Sequence, residues 1–219
     1  MASRPKQPAS RPAPRLYLIT PPLADPSAFS SQLIAALGGG DVAAVLLRLA
    51  DADERTLINR AKSLAQPVQD KGAALLLDGH PQLVARAGGD GAHLTGIAAF
   101  TDAFNRLKPE RIAGAGGLAS RHDAMFAAEQ GADYVMFGEP DAIGRQPNFS
   151  AVEERVAWWA EVFEIPCVGY AASTNDIAPL VAAGADFIAL GDFLWRDPHA
   201  IAEVMSETTR HLQLPEPAA

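Results

Sequence analysis

Eight short apolar runs punctuate the chain, each closed by a glycine or a polar residue. They are Leu16–Thr20, Val42–Leu49, Ala73–Asp78, Gly91–Leu94, Arg111–Ala115, Asp133–Gly138, Cys167–Tyr170 and Phe187–Gly191. Each is apolar on both faces, as strands buried on both sides are. Patterns of helical spacing stand between them. Ser27–Leu37 and Asp53–Lys71 start at capping residues. Ser120–Gln130 opens with Ser120 and, three residues on, Asp123, close to a capping box. Ala151–Phe163 repeats Val152, Val156, Trp159 and Phe163. Asn175–Ala183 and Pro198–Leu212 end the series, with Pro198 suited to a first helical turn. Eight strands alternating with helices over about 200 residues predict a (β/α)8 TIM barrel, formed by residues 15–219 as one domain. The rival doubly wound sheet lacks a G-x-G-x-x-G opening its first helix.

Three phrases recur: Gly88-Gly89-Asp90-Gly91-Ala92, Gly131-Ala132-Asp133-Tyr134-Val135 and Gly184-Ala185-Asp186-Phe187-Ile188. Each puts a glycine suited to end a helix before a strand, and so belongs to the lower loops of a barrel, away from its chemistry. Residues 1–14 are rich in Pro, Ala and Ser without apolar periodicity and are expected to be a disordered tail. That tail with Arg15 carries +4 and the remainder −12, giving a net charge of −8. Such a balance disfavours nucleic acid, whose binders are basic. No run approaches the roughly 18 apolar residues of a membrane span, and none supplies a signal peptide's apolar stretch of about 7–15, so a cytoplasmic protein is expected. Cys167 alone allows no internal disulfide, and five scattered histidines give no zinc framework.

Barrel chemistry sits at the C-terminal ends of strands. Arg48 ends the second run, where a guanidinium could clamp a phosphate or carboxylate, or pair with Asp51 or Asp78. Asp78 could hold Mg2+, act as a base, or cap a helix from Pro81. His93, just inside a strand end, is either a proton-transfer group or a satisfied core histidine. His122 lies in a first helical turn, where the helix dipole disfavours its charged form. Gly114-Ala115-Gly116-Gly117 before Ser120 could expose N–H groups to an anion. Gly138, Tyr170 and Gly191 mark three further strand ends, Tyr170 as a stacking or hydrogen-bonding ring.

Leu16-Tyr17-Leu18-Ile19-Thr20, Asp90-Gly91-Ala92-His93-Leu94 and Gly131-Ala132-Asp133-Tyr134-Val135-Met136-Phe137-Gly138, in that order, resemble thiamine phosphate synthases and the related thiazole tautomerases over nearly the whole chain after Arg15. The resemblance implies a cytoplasmic homodimeric barrel that joins a pyrimidine pyrophosphate to a thiazole phosphate. Mg2+ would help pyrophosphate leave, and the thiazole nitrogen would attack the resulting carbocation. It places Arg48, Gly114, Gly116, Gly138, Arg145, Tyr170, Ala171, Ala172 and Gly191 at the phosphorylated substrate. Asp78, His93 and His122 are the candidates for metal and proton chemistry. Several family positions are changed. Arg-Glu-Lys after strand two is Arg48-Leu49-Ala50, and the metal aspartates fall on Gly79 and near Ala98. The serine after strand five falls on Gly116, and the phosphate-cradling Gly-Gly after strand seven on Ala171-Ala172. No lysine follows Lys108, so Arg145 is the cation nearest the family's loop lysine. A tautomerase, which needs no metal, and a catalytically silent barrel that binds a metabolite or a protein partner are the alternatives. The apolar face of Val156, Trp158, Trp159 and Phe163 would serve either barrel packing or a subunit contact.

Overall fold

The apolar runs become eight parallel strands, each hydrogen-bonded to the next and the last to the first. A computed structural model describes residues 12–141 and 143–212. Most of the expected tail lies outside them, as do the last seven residues and Ala142. The strands are β1 (Arg15–Ile19), β2 (Val42–Leu47), β3 (Ala74–Asp78), β4 (Gly91–Thr95), β5 (Ile112–Gly116), β6 (Tyr134–Phe137), β7 (Cys167–Ala171) and β8 (Phe187–Leu190). The helices are α1 (Pro26–Leu37), α2 (Glu54–Gln69), α3 (Val84–Ala87), α4 (Ile97–Leu107), α5 (Arg121–Gln130), α6 (Phe149–Val162), α7 (Ile177–Ala182) and α8 (Ile201–Leu212). The (β/α)8 barrel is therefore observed. None of the described helices is long and apolar enough to cross a membrane.

Side-chain caps set the starts of α1, α2, α5 and α6. Asp53 accepts from the Thr56 N–H at 3.0 Å, and Ser120 and Asp123 form a reciprocal capping box. Three elements differ from expectation, one being α3, which begins at Val84 after a turn and not at Pro81. Ile97–Leu107 is a helix whose Ile97, Phe100, Phe104 and Leu107 already follow helical spacing. Pro198 lies in a turn, and α8 begins only at Ile201.

Strand alternation divides the apolar side chains into two cores. Leu16, Leu18, Val45, Leu47 and Leu75 face the helices, with Phe100 and Trp159 buried against them. Tyr17, Ile19, Leu46, Leu76, Tyr134, Met136 and Val168 fill the barrel interior. The α6 face is mainly barrel packing: Val156 and Trp159 are fully buried, and Trp158 and Phe163 pack beside them.

The recurring aspartates fasten the lower face. Asp90 accepts from the Leu75 N–H at 2.7 Å, Asp133 from Ala113 at 2.7 Å and Asp186 from Cys167 at 2.8 Å. Each returns its own N–H to the same strand residue's carbonyl, at 2.8–3.0 Å. Gly88 and Gly131 end their helices in the left-handed conformation, as the phrases require. Asp90→Ala would leave the buried Leu75 N–H without its acceptor. We expect a loss of about 1–3 kcal/mol in urea unfolding; an unchanged midpoint would show that the clamp adds nothing.

Candidate active site

One row of neighbouring strand residues runs Asp78, His93, Gly114, Tyr134, each residue beside the next in register. His93 is 1% exposed. Its Nδ1 is hydrogen-bonded to the Tyr134 hydroxyl at 3.0 Å, and that hydroxyl to Tyr17 at 2.8 Å. Its Nε2 is hydrogen-bonded to Glu139 Oε1 at 3.2 Å. Four side chains thus form one chain across the barrel. Gly114 makes this possible: a Cβ there would overlap the Tyr134 ring. Gly116 does the same for Glu139 and His93.

Burial opposes a charge on His93. The Glu139 carboxylate, by its charge and its hydrogen bond, and Asp78 behind it outweigh that cost, so the imidazole pKa is raised above its ordinary 6.5. Burial pushes both phenols up, so Tyr17 and Tyr134 remain protonated. Glu139 Oε2 is buried and has no hydrogen-bond partner among the described residues.

Arg48 stands just past β2, its backbone N–H donating to Thr20 Oγ1 at 3.0 Å. Its guanidinium lies between Asp78, at 3.5 Å, and Asp192, at 3.8 Å. Asp78 therefore faces Arg48, and α3 has no side-chain cap from it. Mg2+ is a poor fit to this donor set. No group of three or more potential ligands exists among the described residues, and Asp78 already faces a guanidinium. No step below is routed through a metal.

The remaining candidates divide. Gly114 and Gly116 belong to β5, and only Gly117 enters the loop. Ala171 ends β7. The N–H groups of Ala172 and Ser173 both donate to Asp176 Oδ2 at 2.9 Å, so an internal carboxylate sits where a phosphate cradle was expected. Gly191 leaves room for the Tyr170 hydroxyl. Gly138, with φ +100°, is held close to Val152 and Tyr170. Arg145 is exposed and paired with Asp141 at 3.1 Å. His122 is exposed on the first turn of α5.

A cavity of about 420 Å3 opens between the loops after β5 and β6. It is lined by Thr95, Gly117, Met136, Gly138, Glu139, Arg145 and Arg155, among others. Sequence reading missed two of these. Arg155 donates to the Leu118 carbonyl at 3.1 Å and lies over the Phe137 ring. It sits in the second turn of α6, where no strand-end rule points. Glu139 directly follows Gly138, and its rim position was the available signal.

A closed parallel barrel with ionisable groups gathered at its C-terminal rim defines a (β/α)8 enzyme architecture. Residues 16–193 match the thiamine monophosphate synthase family, and the chain belongs to it. The thiamine-phosphate synthase of Rhodospirillum centenum is 41% identical over 199 residues, 90% of this chain and 96% of that one. That of Hyphomonas neptunium is 37% identical over 193 residues, covering 84% and 87%. The thiamine phosphate pyrophosphorylase of Pyrococcus furiosus superposes with a TM-score of 0.71 at 22% identity, over 90% and 95% of the two chains, a likeness of fold.

His93 holds its proton more tightly in the folded chain than in the unfolded one. The stabilisation is complete below the unfolded value near 6.5 and is lost as pH rises through the raised folded value. In Glu139→Gln, burial remains while the opposing charge is gone. The His93 pKa should then fall below 6.5, read by imidazole 15N NMR titration; an unshifted value would remove Glu139 as the cause.

Proposed function

We propose that the protein is a thiamine-phosphate synthase that joins a pyrimidine pyrophosphate to a thiazole phosphate. The observation that carries this is the 41% identity to a protein of that name across 90% of the chain. The tautomerase and silent-barrel readings draw no comparable support. In the reaction the bond between the pyrimidine's methylene carbon and the pyrophosphate oxygen breaks. The thiazole nitrogen then gives its electron pair to that carbon.

Negative charge grows on the departing pyrophosphate, and fixed cations at a partly dry rim stabilise it. Arg48 is the group placed to do this, since Asp78 and Asp192 hold its guanidinium at the β2 end. Arg145 and Arg155 line the cavity on the β6 side and offer cations to a second anionic group. His93 has both ring nitrogens engaged, so it orients Glu139 and does not reach the ligand itself. Asp78 tunes Arg48. The proposal includes a soluble homodimer, as the family resemblance implies.

The test is product formation from the two phosphorylated substrates, with and without added Mg2+. Coupled product supports the synthase. Isomerisation of the thiazole substrate alone would replace it with the tautomerase, and failure of both substrates to bind at millimolar concentration overturns both. Arg48→Ala should weaken pyrophosphate binding roughly ten- to hundredfold, the range of about 1.5–3 kcal/mol for hydrogen bonds to a charge. Its stability should change by under about 1 kcal/mol, because its ion pairs are long and partly exposed. Unchanged binding by calorimetry would remove Arg48 from the site.

A further inference from the structure

A cavity of about 250 Å3 opens at the lower mouth of the barrel, at the opposite end from the rim. Ala74, Ile112, Tyr134 and Phe187, the first residues of β3, β5, β6 and β8, line it together with Tyr17 and Ala44. Bulky branched side chains ordinarily fill each layer of such an interior. Here Ala44 and Ala74 stand side by side in register on β2 and β3, so two adjacent strands leave the floor layer unfilled. Tyr17, Tyr134 and Phe187 supply three aromatic walls.

Charge at the edge of this cavity selects its ligand. Arg15 donates to both carboxylate oxygens of Asp41, at 2.9 and 3.0 Å. Asp133 accepts from the Ala113 N–H at 2.7 Å and pairs with Lys108. The two charged residues of the lining, Arg15 and Asp133, thus have their partners outside the cavity. An ion entering it would leave water with no counter-charge to meet, which is costly. Size sets the upper limit. An apolar cavity of about 150 Å3 holds one benzene ring, so this one has room for one or two fused rings. Aromatic walls favour a planar aromatic guest, ring edge against ring face. We propose that the floor cavity binds a neutral aromatic molecule of one or two fused rings, and that its occupancy is felt at the rim. Two of its walls carry the coupling. The Tyr17 and Tyr134 hydroxyls meet at 2.8 Å, and the Tyr134 hydroxyl meets His93 Nδ1 at 3.0 Å. A guest pressed against Tyr134 moves the hydroxyl on which His93 Nδ1 rests.

Indole and indole-2-carboxylate, the same rings without and with a charge, are titrated by NMR into the full chain. Wild type should bind indole at least about tenfold more tightly than the carboxylate, the factor set by an unpaired charge. Nuclear Overhauser contacts should run from the indole ring to the methyls of Ala44, Ala74 and Ile112. The site is overturned if indole fails to bind at millimolar concentration or if the carboxylate binds as well. It is equally overturned if the contacts fall elsewhere or those methyls meet a second copy of the chain instead. Ala44→Leu fills the space and should abolish indole binding while leaving pyrophosphate affinity unchanged; retained indole binding would overturn the site. If that variant fails to fold, the wild-type contacts decide the matter alone. The His93 Nδ1 resonance should move as indole binds to wild type. In Tyr134→Phe the ring stays and the hydroxyl goes, so indole should still bind while His93 ceases to respond. A wild-type His93 signal indifferent to indole, or a response that survives in Tyr134→Phe, would overturn the coupling.

Discussion

Two inward positions on β5 carry no side chain, and the rim is assembled in the space they leave. Gly114 admits the Tyr134 ring, and Gly116 admits the Glu139 carboxylate. His93 stands on the neighbouring strand and meets both. Each of its nitrogens is therefore occupied, and the orientation of a single imidazole depends on two missing methyl groups. A larger residue at either position would displace a partner of His93 before it touched any ligand. This is the small-beside-large fitting by which barrel interiors fill, put here to fixing a polar chain and not only a packed core.

The same rim shows how an acidic chain with few lysines arranges its charge. Arg48 sits between two aspartates, and His93 has its charge favoured by a glutamate, so both of these groups carry their counter-charge with them. The turn after β7 goes further. Asp176 fills the backbone N–H groups of Ala172 and Ser173 with a carboxylate from its own helix entry. A ligand phosphate arriving there would have to displace that carboxylate.

The barrel was legible because its signal is repeated. Eight apolar runs and their intervening periodicities define the topology even with Ile97–Leu107 overlooked, and the Gly-x-Asp phrases fall at the lower loops as their glycines demand. The rim was legible only as a set of positions. Arg48 and His93 were found because they end strands. What they touch depends on register between strands far apart in sequence, which no local pattern carries. Gly114 and Gly116 looked like an anion-binding loop because a glycine cluster before a helix has two meanings. Their part in seating Tyr134 and Glu139 appears only when neighbouring strands are placed. Arg155 lies on a helix flank and gave no motif at all.

The lower clamps divide the barrel in a way the rim does not. Asp90 ties β4 back to β3, Asp133 ties β6 to β5, and Asp186 ties β8 to β7. At the first pair, the Asp41 backbone carbonyl accepts the Leu16 N–H at 2.9 Å, and its carboxylate pairs with Arg15. The molecule is thus a ring of four βαβ quarters, each with its own fastener on the face opposite the chemistry. None of those fasteners involves a residue of the upper rim. Gly79, Gly116, Ala171 and Ala172 take no part in any fastener, so this architecture can exchange its reactive surface piecemeal while inheriting its foundation intact.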